Sequence, residues 1–293
     1  MSTATSRANG VAAAPAVVTP AAGRNPKQLL LALLGEQLDA GMHRPLRAAA
    51  YIEVLDGAGV AGPTARATLD RMALRGLLTR SRVGREIEFA ITDHARDVLR
   101  EAAERVHSEH PFAPQGRGWT LVTFTVPEDR RALRHRLRAA LTWEGFAPLR
   151  DGLWLAPGEV DLVGALEPLH DQLPEQSVIA FRARDLAEFP VAQSVRTAWD
   201  LDAIRAAHEG FLATWGDPER VAGSVPPLSA LTMLVADWLA LLRSDPRLPN
   251  EFMDEDWPAA RSLAAYRARR AELADGATEA FAQLADVAGA AAR

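Results

Sequence analysis

The chain has no cysteine and a single lysine, Lys27. The missing thiols exclude disulfide bonds, thiolate metal sites and cysteine nucleophiles. Long apolar runs are missing too: the most apolar predicted helix, Leu228–Leu242, is shorter than the roughly 20 residues that a membrane span needs, and it carries Asp237. Prolines interrupt the apolar part of residues 1–24, which disfavours a secretory signal. We therefore expect a cytoplasmic protein with no membrane segment.

The composition that remains is typical of a globular protein. Of the 293 residues, 48% are hydrophobic and 24% are charged, and the formal net charge is −5. This length favours two or three domains. Because the whole chain is slightly acidic, any contact with nucleic acid must come from a local basic patch. Residues 1–24 lack periodicity, and we expect them to form a disordered tail.

Residues 25–110 carry the pattern of a winged helix-turn-helix, in which the second helix of the motif lies in the DNA major groove. Pro63 suits the first position of that helix, where a missing N–H costs nothing, and Gly76 suits its C-terminal cap. In chain order the predicted elements are helices over Pro26–Ala40, Leu46–Asp56 and Pro63–Arg75, a hairpin turning at Val83-Gly84, and a helix from Thr92 or Asp93 to His107.

The charge of this segment favours DNA as the partner. Between Gly62 and Arg85 there are six arginines and one acid, Asp70. Arginine can donate two hydrogen bonds to guanine, and threonine can reach a phosphate or a thymine methyl group. The alternative is an ordinary solvated helix with surface arginines. The residues predicted to contact DNA are Thr64, Arg66, Ala67, Thr68, Arg71, Arg75, Arg80, Arg82 and Arg85.

The middle and last thirds of the chain have different patterns. Residues 116–195 alternate strand and helix in the order β-α-β-β-α-β, which predicts a ferredoxin-like domain. Residues 197–285 predict a helical domain, so the fold class is α+β. The predicted elements are strands over Trp119–Val126, Phe146–Leu149, Leu153–Leu155 and Ser177–Ala183, and helices over Arg130–Trp143, Asp161–Gln172, Ala198–Trp215 and Leu228–Arg243, with one more ending near Ala274 and an Ala-rich segment after Gly276.

Two features of the helical domain have alternative interpretations. The apolar stripe of Leu228–Arg243 suits either a core or a dimer interface. The C-terminal tryptophans suit either a core or an aromatic pocket, with arginines for an anionic group. The candidate effector-binding residues are Trp199, Arg205, Trp215, Trp238, Arg243, Arg247 and Trp257.

The sequence offers little for catalysis. Gly57-x-Gly59-x-x-Gly62 matches a dinucleotide fingerprint, but the residues before it predict a helix rather than the required buried strand. His107 and His110 have metal-ligand spacing without an apparent third ligand. Because no nucleophile, base or metal set converges, we predict no catalytic residues, no metal and no enzyme activity.

A series of short motifs follows along residues 27–280. They are Arg66–Gly76 with Arg71 at its centre, Gly84-Arg85, Ile91-Thr92, Val126-Pro127-Glu128, Arg134, Leu137-Arg138, Gly145-Phe146, Gly152-Leu153-Trp154, Ala198–Leu201, Asp245–Pro249 and Asp256-Trp257-Pro258. In this order the motifs resemble the PaaX-type transcriptional repressors of phenylacetate degradation. No single motif is diagnostic, but their order is fairly specific. Ala259 departs from the family pattern, in which glycine follows the Trp-Pro pair.

This resemblance implies a homodimeric repressor that binds double-stranded operator DNA and is released by an aryl-acyl-CoA thioester, with no other cofactor. It also implies a central domain similar to the small CRISPR-adaptation nuclease subunit. That subunit has an aspartate at the end of its first strand, whereas this chain has Thr125-Val126-Pro127, so we expect no nuclease activity. Two other hypotheses compete with the repressor hypothesis. One is an enzyme (a metal-dependent nuclease or a CoA-ester-acting enzyme) that the winged helix targets, and the other is an adaptor whose winged helix binds protein.

Overall fold

The computed structural model describes residues 24–150, 152–186, 188, 191–217 and 225–290, without the side chains of 285–290. Nearly all of the predicted tail, residues 1–24, lies outside the described residues. Helices and two antiparallel sheets make up the fold, as the α+β prediction requires. Within the described ranges, no helix is both long and apolar enough to cross a membrane.

The N-terminal part combines four helices with a three-stranded sheet of order β1-β3-β2. Asn25 caps the first helix by accepting a hydrogen bond from the Lys27 N–H at 2.9 Å. The elements are α1 (Pro26–Asp39), β1 (Leu46–Arg47), α2 (Ala48–Gly57), α3 (Gly62–Leu74), β2 (Leu78–Val83), β3 (Glu86–Ile91) and α4 (Asp93–Val106).

The start of α2 was predicted wrongly. The helix expected from Leu46 begins at Ala48, because Leu46 and Arg47 are extended and pair with Phe89 and Glu88 of β3. This pairing satisfies backbone groups with a strand distant in sequence, which helical periodicity does not reveal. As a result, the hairpin gains a third strand that ties it to the start of α2.

The central part has a four-stranded antiparallel sheet of order β5-β6-β4-β7. The helix expected over Asp161–Gln172, with a bend at Pro168, is α-helical only over Leu162–Leu166 and continues as a 3₁₀ helix over Glu167–Gln172. Pro168 has no N–H to continue the α-helical bonding. The elements are β4 (Trp119–Phe124), α5 (Arg131–Trp143), β5 (Ala147–Arg150), β6 (Leu153–Pro157), α6 (Leu162–Leu166) and β7 (Val178–Ala183).

The two faces of the central sheet pack against different parts of the chain, although the edge strand β7 is largely exposed. On one face, Val122 and Trp154 pack in a buried cluster with Leu137 of α5. On the other, Trp119 packs in a cluster with residues from the C-terminal part, including Trp199. The Trp119 and Trp199 rings stack with centroids 6.3 Å apart. The sheet therefore connects its own helices to the last third of the chain.

The C-terminal part is helical, as predicted, but its boundaries differ. The helix expected over Ala198–Trp215 is interrupted at Trp199-Asp200, where Asp200 caps a new helix by accepting from the Ala203 N–H at 2.9 Å. The helix end predicted near Ala274 is also wrong. The elements are α7 (Ala192–Ala198), α8 (Leu201–Trp215), α9 (Pro227–Ser244) and α10 (Ala259–Ala290).

Gly276 lies inside α10 and does not end it. A Cβ added at Gly276 would lie 2.9 Å from Cβ and Cγ of Pro227 at the start of α9. The glycine therefore serves the close approach of two helices. Local sequence cannot distinguish this role from a helix stop.

Helix α9 packs against helices of both the N-terminal and the C-terminal parts. It packs against α1, α2, α4, α8 and α10, and its apolar residues belong to a hydrophobic cluster that also contains those of α1–α4. The Ser229 hydroxyl donates to the Val54 carbonyl of α2 at 2.8 Å. The alternative of a dimer interface is therefore wrong for the α9 stripe, because the chain itself buries it.

Candidate nucleic-acid interface

The outer face of α3 carries most of the predicted DNA-contacting residues. Ala65, Leu69 and Met72 face the core, where they are buried. The opposite face exposes Thr64, Arg66, Ala67, Arg71 and, just past the helix end, Arg75. Gly76 follows with a φ of +73°, so the chain turns out of the helix there as predicted.

Thr68 is a correction. It is only 2% exposed, so its expected direct contact with DNA is wrong. Its hydroxyl donates to the Thr64 carbonyl at 2.8 Å and accepts from the Arg71 guanidinium at 2.8 Å. Thr68 therefore positions Arg71 from inside the helix packing. Thr68 lies at the edge of the exposed face on a helical wheel, and the tertiary packing buries that edge.

The β2–β3 hairpin projects beside α3. Its register runs to Val83 opposite Glu86, and Gly84 in the turn has a φ of +61°. Arg82 and Arg85 are exposed near the tip, and Arg82 Nε donates to the Gly84 carbonyl at 3.2 Å. The predicted turn at Val83-Gly84 thus falls one residue before the observed Gly84-Arg85 turn.

A groove of about 380 Å³ separates α3 from the hairpin. Arg66, Arg80 and Arg85 line it, so the structure brings together three residues predicted from separate elements. Arg80 forms an ion pair with Asp70 at 3.5 Å across the groove. Arg47 also lines this groove and pairs with Glu86 at 2.6 Å. The sequence analysis missed Arg47, whose position depends on the β1–β3 pairing.

Three family models match the chain in order. "PaaX-like protein" matches residues 25–95, "PaaX protein central Cas2-like domain" matches 113–195, and "PaaX-like protein C-terminal domain" matches 199–283. The chain belongs to the PaaX family. The resemblance drawn from the sequence motifs is thereby confirmed.

Two individual proteins extend this result. The PaaX-family chain is 24% identical over 214 residues to the transcriptional repressor PaaX of Escherichia coli (strain K12), a match that covers 70% of this chain and 66% of that repressor. The uncharacterized protein Rv0674 from Mycobacterium tuberculosis has a similar structure, with a TM-score of 0.57 and 24% identity. That likeness covers 86% of this chain and 97% of the other, and it shows the fold alone.

The tryptophans predicted to form an effector pocket in this PaaX-family chain do not form one. Trp215 and Trp238 are both 0% exposed. Trp215 Nε1 donates to Asp237 Oδ2 at 2.9 Å, and Trp238 stacks on Tyr266 at 4.3 Å. With Trp199 packed on the central sheet, the pocket interpretation is wrong for these three residues, which belong to the core.

Arg205 and Trp257 lie together at the surface of the C-terminal part. The Arg205 guanidinium lies 5.0 Å from the Trp257 ring centre and forms ion pairs with Asp254 and Asp256, each at 3.0 Å. These carboxylates raise the pKa of Arg205, and Arg205 lowers the pKa of Asp256. The positive charge is therefore already compensated within the chain, which disfavours Arg205 as an anion ligand.

Arg243 and Arg247 are close to a different cavity, one that sequence analysis did not find. Arg243 lies over the Trp143 ring at 5.6 Å, and Arg247 and Trp143 line the cavity together with Arg105 of α4. Trp143 and Arg105 come from the central and N-terminal parts of the chain. No sequence spacing connects them, because only the packing of three segments brings them together.

A Ser-His-Asp set also occurs in the structure. His208 Nε2 lies 2.9 Å from Asp245 Oδ2, and its Nδ1 lies 3.0 Å from Ser262 Oγ. All three side chains are buried, and the Phe112 and Trp257 rings pack edge-on against His208. A buried, satisfied network of this kind fixes α8 against α10 and offers no access to a substrate.

One of the two histidines with metal-ligand spacing, His107, has an ordinary role. His107 Nε2 lies 2.8 Å from Asp39 Oδ2 at the end of α1. Among the described residues, no group of three or more potential ligands gathers in a geometry that could hold a metal ion.

Proposed function

We propose that the chain is a ligand-responsive transcriptional regulator in which residues 25–110 form a winged helix-turn-helix and residues 116–195 a ferredoxin-like domain. The observation that carries this proposal is the exposed face of α3, with Arg66, Arg71 and Arg75 beside an arginine-bearing hairpin. The family assignment supports a repressor. Its targets would be genes for catabolism of a phenylacetate-type aromatic acid.

In this proposal α3 enters the major groove of operator DNA. Arg71, oriented by Thr68, donates to a base edge such as guanine, whereas Arg82 and Arg85 contact phosphates. A homodimer would place two such helices on half-sites about one helical turn apart, roughly 10 base pairs.

The dimer needs an exposed, self-complementary surface, and β7 offers one. β7 is the edge strand of the central sheet, and Ile179 and Phe181 are 50% and 56% exposed on it. Two copies of β7 paired antiparallel about Ala180 would place Ile179 of one opposite Phe181 of the other. Such aromatic and β-branched cross-strand pairs stabilise sheets.

The effector in this proposal is an aryl-acyl-CoA thioester. It can release the repressor only if it binds more tightly to an arrangement of the dimer that no longer fits the operator. The negative phosphates of such a ligand require a cationic site, and the aryl group requires an apolar wall.

Gel-shift titration of the DNA upstream of the protein's own gene tests the DNA-binding proposal. Arg71→Ala should cost about 1–3 kcal/mol of binding free energy and relax sequence preference. Arg131→Ala, an exposed arginine of α5 in the central part, is the matched control and should bind as the native chain does. Unchanged affinity and selectivity in Arg71→Ala would contradict the assignment of α3.

Salt dependence tests the hairpin separately. Arg82→Ala and Arg85→Ala should each reduce the slope of log affinity against log salt by roughly one unit, because one phosphate contact is lost. An unaltered slope in both variants would remove the hairpin from the interface. Binding to protein instead of DNA would appear as no shift with any duplex.

A further inference from the structure

A cavity of about 640 Å³ lies where the three parts of the chain meet. Its walls come from α4 and the segment after it, from the C-terminal end of α5, from α6 and its flanking residues, and from the segment after α9. This volume is within the range of sites for small organic ligands, about 300–1,000 Å³. A ligand bound in this cavity would therefore touch all three parts of the chain at once.

Two arginines, Arg105 and Arg247, line this cavity, and a third, Arg243, lies beside it. Arg105 donates to the Leu242 carbonyl at 2.9 Å. Arg243 lies over Trp143, and its buried Nη2 has no hydrogen-bond partner. Arg247 has a φ of +62° and is held through its backbone N–H, which donates to Asp245 Oδ1 at 2.6 Å. None of the three guanidinium groups forms an ion pair with a carboxylate of the described residues.

The charges of this cluster are poorly compensated. Burial lowers the pKa of Arg105, and the neighbouring charges of Arg247 and Arg243 lower it further, against the opposing effect of Glu144 and Glu101. Burial also lowers the pKa of Arg243. Half-buried cations without an ion-pair partner cost free energy unless an anion accompanies them.

Carboxylates of the cavity act on these arginines from a distance, but among the described residues none forms an ion pair with them. Glu159 pairs with Arg182 at 2.6 Å, and Asp161 caps α6 by accepting from backbone N–H groups. Glu101 and Glu104 are exposed on α4. Glu144 is the remaining acid, and burial raises its pKa although Arg105 and Arg247 oppose the shift. It is not in an ion pair with a described arginine.

We propose that this cavity binds an organic anion, with a phosphate or carboxylate group held by Arg105 and Arg247 and a planar apolar group against Trp143, which Arg243 contacts from beside the cavity. Trp143 is 58% exposed, so its ring has surface available for such a group. Val160, Ala165 and Pro168 supply the apolar part of the wall. The assignment of this ligand as the effector rests on the proposed function, whereas its binding does not.

Helix α4 connects this cavity to the DNA-binding surface. Helix α4 begins just after β3, and the hydroxyl of Thr92 between them donates to the Gly76 carbonyl at the end of α3 at 2.8 Å. A ligand that holds Arg105 of α4 against Arg247 therefore acts on the element that follows the hairpin. The effect of the ligand on DNA binding equals the difference between its binding free energies for two arrangements of the protein, one that fits the operator and one that does not.

Isothermal titration of the full-length chain with phenylacetyl-CoA, phenylacetate and pyrophosphate tests the proposal. The three probes distinguish a combined ligand, an aryl carboxylate and a phosphate group alone. We expect at least one of them to bind. Arg105→Gln and Arg247→Gln should each weaken that probe roughly tenfold or more, as loss of a charge-assisted hydrogen bond does. Arg131→Gln should leave the affinity unchanged.

Operator binding without ligand and the circular dichroism spectrum establish that each variant is folded. Trp143→Leu should weaken an aryl probe while leaving pyrophosphate unaffected. The proposal is overturned if no probe binds, if both arginine variants bind as the native chain does, or if Arg205→Gln loses binding and Arg247→Gln does not. Because operator binding is measured separately, failure at the cavity leaves the DNA-binding part of the proposed function intact. If the native chain binds no operator, that DNA-binding function is refuted while ligand binding at the cavity is not.

Discussion

Gly57→Ala should reveal how closely the first and last thirds of the chain are packed. Gly57 ends α2, and an added Cβ would overlap Ser229 Oγ of α9 while lying 3.0 Å from Ser229 Cβ and 3.4 Å from Pro226 Cδ. Ser229 would have to turn away, and its buried hydrogen bond to the Val54 carbonyl would be lost. On a free helix the same substitution is stabilising, because alanine has the higher helix propensity.

The magnitude follows from these opposing effects. Losing the hydrogen bond and overpacking the contact together cost about 2–5 kcal/mol, and helix propensity returns at most about 1 kcal/mol. We expect Gly57→Ala to lower the free energy of unfolding by about 1–4 kcal/mol. Gly210→Ala in α8 is the matched control, since an added Cβ there meets nothing within 4 Å. It should raise stability by roughly 0.5–1 kcal/mol.

Urea unfolding followed by tryptophan fluorescence measures both variants. The double variant Gly57→Ala with Ser229→Ala should recover part of the loss, because the overlapping oxygen is gone, and the resulting coupling energy reports the contact directly. If Gly57→Ala raised the midpoint as Gly210→Ala does, α2 and α9 would not be packed at this distance. The conclusion that the N-terminal and C-terminal parts share one hydrophobic core would then be refuted.

Other perturbations test the interface, the dimer and the core. Thr68→Val should weaken operator binding about two- to tenfold by releasing Arg71, and an equal effect in an Arg71→Ala background would disprove this positioning role. In a chain without cysteine, Ala180→Cys should form a disulfide-linked dimer on mild oxidation, and a dimer that does not cross-link would exclude β7 pairing. Trp215→Phe should lower the free energy of unfolding by about 1–3 kcal/mol, since Asp237 loses a donor; an unchanged melting temperature would contradict this.

Local signals in the sequence determined much of the candidate interface. Proline near the start of α3, glycine after its end and the apolar spacing of Ala65, Leu69 and Met72 fixed both the limits of the helix and its exposed face. The hairpin was equally predictable, because a two-residue turn requires a residue such as Gly84 with positive φ. These features depend on neighbours within a few residues.

The tertiary structure determined which side chains are buried and which residues they contact. Thr68 was a candidate for DNA contact and Trp238 for effector contact, and the tertiary packing buried both. Gly276 had the signal of a helix stop, but the approach of Pro227 explains it within a continuous helix. Arg105 had no signal at all, and nothing in the sequence placed it beside Arg247, which was a candidate. Periodicity reports only that a side chain faces inward or outward along its own element, whereas burial, ion pairing and the shape of a cavity depend on contacts between segments that the chain brings together only when it folds.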